Sequence, residues 1–343
     1  FVETNFALKS IAFGLLNEKI IKKSDEETLL RYENTFKAYL TKTIYNLANT
    51  STSGEIILKD IDVKDGVYII NSDISDRTSS VSLYWKVAKI KDSYKILDII
   101  VENTSYFVTK KSEFTKILEN SFRTVNIAFI EEWRKFSEHL NIDLEKLINA
   151  IRLRKTHANI MMPGLGVGGN CLTKDPKFGE LSSNIIFKKK LKFPITSNAL
   201  KINGQMLKFN INKIEYYFKK SIKSIKKILI FGLTYKENVC DLRNSPSLKL
   251  GEYFKEKKYD VYFYDPYLEK KFNGLKILKK LSDLRSFDCI IFCVKHEEFK
   301  SINFKKLKIK NEAVVFDSNL VLSSIQQKDL SKKNIFLKKV GLN

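Results

Sequence analysis

"KKILIFGL" at residues 226–233, then "SPSLKLGEYFKEK" at 245–257 and "YDVYFYDP" at 259–266, decides how the last third of this chain folds. The first stretch is a short apolar run closed by Gly232, too short for a helix and suited to a strand buried on both faces. The second reads as a helix with Ser245 as N-cap and Pro246 at its first position. The third returns to strand pattern, and "FDCIIFCV" (287–294) and "EAVVFDS" (312–318) repeat it with short helical stretches between. Strand–helix alternation predicts a parallel, Rossmann-like sheet, because parallel neighbours need a crossover connection.

Upstream the pattern changes. "SEFTKILENSFRTVNIAFIEEWRKFSEHLNI" (112–142) puts Phe114, Ile117, Leu118, Phe122, Val125, Phe129 and Ile130 on one stripe of a long helix. "DLEKLINAIRL" (143–153) reads as a second helix capped by Asp143, and two more are expected at about 176–190 and 195–220. The first hundred residues read as a helix over 25–48 followed by four strands, 55–63, 66–74, 80–90 and 93–103, separated by turns such as "KDG" and "KDS". The expected fold class is therefore multi-domain: an N-terminal α+β part with an antiparallel sheet (1–112), a helical centre (113–222) and a C-terminal α/β part with a parallel sheet (223–343).

With 43% hydrophobic and 12% aromatic residues in 343, the composition is that of a folded protein. No run of about 18 apolar residues predicts a membrane span. The net charge of +22 comes mostly from lysines spread along the chain, densest at 187–192 and 222–228. No helix-turn-helix, zinc or RNP pattern accompanies it, so nucleic acid is not expected as a partner. A positive field does favour an anionic small molecule such as a nucleotide sugar. Of the four cysteines, Cys289 and Cys293 sit in an apolar strand-like run, Cys171 and Cys240 do not, and no C-x-x-C pair suggests a metal. That points to a reducing compartment. The first residue, Phe1, suggests a cut start, so the lack of a visible signal peptide carries little weight.

"MMPGLGVGGNCLTKDP" (161–176) places Gly164, Gly166 and Gly169 in the spacing of a dinucleotide fingerprint. The context fails: the lead-in "RKTHANIMMP" is not a strand, and Pro163 abuts the first glycine. The alternative is a loop whose glycines let backbone N–H groups approach a ligand beside the Cys171 thiol. Lys174 and the amide-rich loop would favour the thiolate, and Asp175 would serve as a base. A helix-capping loop with an incidental cysteine explains the same residues equally well.

Here the sequence resembles the UDP-glucose/GDP-mannose dehydrogenase family. "PGLGVGGNCLTKDP" is similar to that family's catalytic loop, "KILENSFRTVNIAFIEE" (116–132) to its long central helix, and "ILIFGLTYKENVCDLRNSPS" (228–247) with "VYFYDPY" (261–267) to its nucleotide-sugar-binding domain. The resemblance implies oxidation of the C6 alcohol of a UDP-sugar to a carboxylate with NAD, through a thioester. It implies Cys171 as nucleophile, Lys116 stabilising the oxyanion, Asn120 placing a water or hydroxyl, and Asp175 as base. Gly164, Gly166, Gly168, Gly169, Lys174, Lys236 and Arg243 would meet the substrate, and the long helix from 113 would form a homodimer. Two departures stand out. Cys240 takes the place of an acidic residue, and residues 1–112 supply none of the strand–glycine–helix entry of the family's NAD domain, which implies little turnover by this chain alone. A UDP-sugar-binding module without redox activity is the alternative.

The front resembles a different family, MlaC, through "SVSLYWKVAKIKDSYKILDIIVENTSYFVTKKSEFTKIL" (80–118) and "YENTFKAYLTKTIYNLA" (32–48). That resemblance implies a phospholipid held between sheet and helices, and a periplasmic setting, whereas the dehydrogenase part implies the cytoplasm. "EFTKILEN" (113–120) suits both patterns, so the chain reads as a composite.

Overall fold

The computed structural model describes residues 2–16, 18–50, 55–75, 80–101, 104–185, 190–221, 224–268, 274–281 and 283–342. Parts of the lysine-rich stretches 187–192 and 222–228 lie outside the described residues. The chain separates into two compact units: Phe1–Leu118 with Phe178–Lys192, and Glu119–Lys177 with Phe193–Asn343.

The first unit opens with three short helices, α1 (Val2–Asn5), α2 (Leu8–Gly14) and α3 (Glu18–Lys23), and a long one, α4 (Glu26–Thr50). A meander follows: β1 (Glu55–Lys64), β2 (Val67–Ser75), β3 (Ser80–Ile90), β4 (Ser93–Val101) and the two-residue β5 (Thr104–Ser105), hydrogen-bonded in that order and antiparallel throughout. Asp65 and Gly66 both take positive φ (52° and 78°) between paired Lys64 and Val67. A two-residue turn with two positive φ values matches the right-handed twist of the strands it joins, which is why "KDG" marks the hairpin. The core of this unit gathers Val2, Phe6, Ile11, Phe36, Leu40 and Phe107. Phe107 lies on α5 (Tyr106–His139), which continues into the second unit's residues.

In the second unit α5 is followed by α6 (Leu144–Arg152), α7 (Cys171–Ile185) and α8 (Pro194–Lys220). Asp143 caps α6, its side chain accepting from the Lys146 amide. The last third alternates as the sequence pattern requires: β6 (Lys227–Phe231), α9 (Pro246–Glu256), β7 (Asp260–Tyr264), β8 (Asp283–Leu284), β9 (Cys289–Phe292), α10 (Glu297–Lys300), β10 (Lys308–Ile309), β11 (Val314–Asp317), α11 (Ser324–Ser331) and β12 (Phe336–Lys339). Ser245 caps α9, accepting from the Leu248 amide, with Pro246 first in the helix. The main sheet runs β12-β11-β9-β6-β7, all parallel. Its inner strands β6, β9 and β11 are buried on both faces between two apolar clusters, one around Ile230, Ile291 and Phe316, the other around Phe231, Phe292 and Val315.

The end of the chain is tied down within this unit. The Gly341 amide donates to Glu138 Oε1 at 2.8 Å, the Leu144 amide donates to the Gly341 carbonyl at 3.0 Å, and Lys213 Nζ donates to the Leu342 carbonyl at 3.1 Å. No helix among the described residues is long and apolar enough to cross a membrane.

One helix start differs from expectation. Pro176 suits a first turn, yet α7 begins at Cys171 and Pro176 lies inside it. A proline there removes the N–H that would bond to the carbonyl four residues back. That carbonyl, Leu172, instead faces the Thr124 hydroxyl from α5 at 3.4 Å.

Candidate functional site

In the strand order of the parallel sheet, β6 connects to β7 on one side, and the chain then crosses back to β9 on the other. The crevice beyond the carboxyl ends of β6 and β9 is therefore the switch point at which open α/β sheets take their ligands. A cavity of about 60 Å³ lies there, lined by Leu165, Gly166, Thr234, Lys236, Val294 and Asn319 among others. Lys236 and Glu237 are exposed at its edge.

The glycine loop forms one wall of this crevice, and buried polar groups hold it from behind. Arg134 of α5 is fully buried and pairs with Glu131 at 2.9 Å; its Nη1 donates to the Gly164 carbonyl at 3.3 Å and to Asn210 Oδ1 at 3.1 Å. Asn210 of α8 donates from Nδ2 to the carbonyls of Gly164 (3.1 Å) and Leu165 (3.0 Å). Glu131 Oε1 accepts from the Gly164 amide at 3.3 Å. On the front, Asn319 follows Asp317, whose carboxyl burial pushes up to about 6 although the amides of Val321, Leu322 and Asn319 donate to it.

Further along the loop the β6–α9 connection takes over. A Cβ on Gly168 would fall 2.8 Å from Tyr235 Cβ, and one on Gly169, at φ 71°, 2.8 Å from the Tyr235 ring. The Gly169 amide donates to the Arg243 carbonyl at 3.0 Å, and Asn244 Nδ2 donates to the Gly169 carbonyl at 3.1 Å and to Asn170 Oδ1 at 3.0 Å. The loop that carries the thiol and the loop that carries Lys236 are thus built as one body.

Cys171 is the first residue of α7 and is exposed. Asp175 follows one helical turn later, so both side chains share a face. Asn120 Nδ2 of α5 donates to Asp175 Oδ2 at 2.8 Å, which fixes that carboxylate. Lys174 is exposed on the same helix. Arg243 is engaged by Asp241 in a forked pair, with Nη2 to Oδ2 at 2.6 Å; its backbone carbonyl accepts from the glycine loop, and its guanidinium also interacts electrostatically with Cys171. Lys116 belongs to the first unit and is exposed on α5. Cys240 is exposed, whereas burial pushes the Cys293 thiol up to about 12 and Cys289 well above its ordinary value.

Sequence reasoning missed Glu131, Arg134, Asn210 and Asn319. The first two sit in "EEWRK", which looks like a solvated charged face; the only hint was that Arg134 falls four residues after apolar Ile130.

The glycine spacing does not make a dinucleotide site here. The residues before Gly164 form no strand, α6 and a single 3-10 turn (Lys155–His157) preceding them instead. The first unit's sheet is antiparallel, without the crossover that places a helix N-terminus at a pyrophosphate. Neither the glycine loop nor the first unit's sheet supplies the strand–glycine–helix entry of a dinucleotide site.

The second unit thus joins a parallel sheet with a walled switch point to helices that present an exposed thiol. Residues 110–205 match the central domain of the UDP-glucose/GDP-mannose dehydrogenase family and residues 229–324 match its UDP binding domain. Residues 1–135 match the MlaC protein family. The UDP-N-acetyl-D-mannosamine dehydrogenase of Methanocaldococcus jannaschii is 34% identical over 231 residues, covering 66% of this chain and 50% of that protein. The structure of UDP-D-ManNAc dehydrogenase from Pyrococcus horikoshii superposes with a TM-score of 0.52 at 30% identity, over 66% of this chain and 51% of the other. An NDP-N-acetyl-D-galactosaminuronic acid dehydrogenase structure from Methanosarcina mazei shares the fold, with a TM-score of 0.59 at 23% identity over 72% and 58% of the two chains. The chain spans about half the length of the curated relatives it matches.

Proposed function

We propose that the second unit binds a UDP-sugar, with the nucleotide over the switch point and the sugar directed toward Cys171. In this reading Lys236 meets the diphosphate, Gly164, Gly166, Gly168 and Gly169 line the sugar side, and the fixed carboxylate of Asp175 faces the reacting carbon as a base. Cys171 supplies a nucleophile for an aldehyde at C6. The observation that carries the reading is the joint wall of the crevice: Leu165 and Gly166 from one loop, Thr234 and Lys236 from the other. Oxidation to that aldehyde needs NAD, and since neither the glycine loop nor the first unit's sheet supplies a dinucleotide entry, binding without turnover is the expected result. Calorimetric titration with UDP and UDP-N-acetylmannosamine tests both halves. Binding is expected, Lys236→Ala should weaken it about 10- to 100-fold because a charge-assisted contact contributes roughly 1.5–3 kcal/mol, and added NAD should yield no NADH. Absence of heat with either ligand would sink the reading.

The same unit offers a dimer surface. Phe122, Phe129, Trp133 and Phe136 fall at seven-, four- and three-residue steps along α5 and, with Leu140 just beyond its end, remain 45–53% exposed. Their rings already touch, Phe129 to Trp133 at 6.3 Å and Trp133 to Phe136 at 5.5 Å between centroids. Such a stripe suits a second copy packed helix to helix. Light scattering should show a dimer, and Trp133→Asp with Phe136→Asp should convert it to monomer with α-helix content unchanged. A native monomer would refute the interface.

A second reading concerns the first unit. A cavity of about 380 Å³ there is lined by Leu15, Phe36, Phe107 and Phe114 together with Lys110 and Lys111. Apolar walls beside two ammonium groups suit an amphiphile with an anionic head, as the MlaC match suggests. Solvent extraction of purified protein followed by mass spectrometry should recover a stoichiometric phospholipid or fatty acid; clean extracts from several preparations would dismiss it.

A further inference from the structure

The loop that carries Lys236 leaves β6 at Phe231, and its polar backbone converges on one buried pair, His296 and Asp265. His296 is fully buried between the rings of Tyr267, 4.9 Å away between centroids, and Phe299, 5.2 Å away and edge-on. The Asn238 amide points at His296 Nδ1 at 3.0 Å. A backbone N–H can only donate, so Nδ1 is an acceptor and Nε2 bears the ring proton. Nε2 lies 3.2 Å from Asp265 Oδ2 and 3.3 Å from Thr234 Oγ1. The Thr234 hydroxyl has spent its proton on the Lys236 carbonyl at 2.8 Å.

Asp265 completes the arrangement. Its Oδ2 accepts from the amides of Leu233 (2.6 Å) and Thr234 (3.3 Å), and its Oδ1 accepts from the Tyr267 amide at 2.9 Å. Burial works against its charge, but the bonds from His296 and these amides carry it below its ordinary value, so it stays a carboxylate. Asn238 in turn sits at φ 57°, a conformation that costs an L-residue and persists only where surroundings hold it, and its Oδ1 accepts from the Glu297 amide at 3.0 Å. Residues 233, 234, 236 and 238 are thereby pinned at both sides of Lys236.

We propose that His296, anchored on Asp265, is a positioning residue for ligand binding: its Nδ1 bond holds Asn238 in its left-handed turn, and it is this bond that stands Lys236 at the switch point before any nucleotide arrives. The inference rests on the reading that this loop meets the diphosphate. Preorganisation matters because a loop that must be ordered on binding takes that cost out of the affinity. His296 touches no ligand in this account; it acts through Asn238 and Asp265.

Two near-isosteres separate its two bonds. His296→Asn keeps an acceptor at the Nδ1 position, and His296→Gln keeps a donor at the Nε2 position while leaving the Asn238 amide unpaired. In UDP titrations of the full chain, His296→Asn should stay within about threefold of native affinity and His296→Gln should lose at least tenfold, with melting by circular dichroism still cooperative in both. Equal affinity in both variants, whether retained or lost, overturns the proposal. Hydrogen exchange on the native chain without ligand tests the clamp independently of nucleotide binding and of any variant's folding. Protection of the Asn238 amide within tenfold of the β6 amides supports it, and exchange at the rate of an open loop overturns it. If native protein ignores UDP while Asn238 is protected, the binding reading falls and the clamp stands.

Discussion

Arg134→Met should destabilise the chain by about 3–5 kcal/mol in denaturant unfolding, the cost typical of removing one member of a buried ion pair. The guanidinium is fully buried, pairs with Glu131 at 2.9 Å, donates to the Gly164 carbonyl at 3.3 Å and lies 4.4 Å from the Phe209 ring centroid. Methionine fills much of the volume but removes the cation opposite the buried Glu131 carboxylate, leaving it the Gly164 amide at 3.3 Å. Burial already pushes Glu131 above its ordinary value, with Arg134 opposing that push. Without Arg134 the carboxyl rises further and takes a proton at higher pH. A carboxyl raised in the folded state contributes stability below its unfolded value and loses it as pH climbs through the folded one. The penalty of Arg134→Met should therefore be larger at pH 7 than near pH 4.5, and adding Glu131→Gln should return at least about 1 kcal/mol at pH 7. A pH-independent loss under 1 kcal/mol would show that the pair does not hold the glycine loop.

Gly232→Ala is the second large effect. Gly232 follows β6 at φ 83°, and a Cβ there would sit 2.5 Å from Val294 Cβ and 2.8 Å from the Val294 amide nitrogen. The left-handed backbone costs an L-residue roughly 1–2 kcal/mol, and the forced overlap a further 1–3 kcal/mol. Backbone cannot yield as a side-chain tip can, so about 2–5 kcal/mol of destabilisation is expected, together with weakened UDP binding because the displaced β6 exit carries Thr234 and Lys236. Gly204→Ala is the matched control: it lies in α8 with nothing within 4 Å of a new Cβ and should be neutral or slightly stabilising. Equal unfolding midpoints for the two variants would contradict the packing argument.

Much of the architecture was legible because local chemistry and tertiary demand coincide. Ser245 and Pro246 start α9 with the cap and fixed φ a helix end requires, Asp143 does the same for α6, and Asp65–Gly66 supplies the positive φ values of a tight hairpin. Alternating strands and helices revealed a parallel sheet, but not the order in which its strands lie, since that depends on which crossover passes over which face. Pro176 misled because the donor compensating for its missing N–H is Thr124, 48 residues upstream. For the candidate site, Asn120 and Asp175 could be named from the family resemblance and do meet at 2.8 Å. Arg134 and His296 could not: a charge or an imidazole in a linear string looks alike whether it faces water or is sealed behind a loop.

The knot of bonds from Gly341 and Leu342 to Glu138, Leu144 and Lys213 gives the residues after β12 a task beyond closing the sheet. It sutures the outermost parallel strand to the corner where α5 turns into α6. Glu138→Ala would unpick that seam, freeing the corner while every strand of the sheet remained paired.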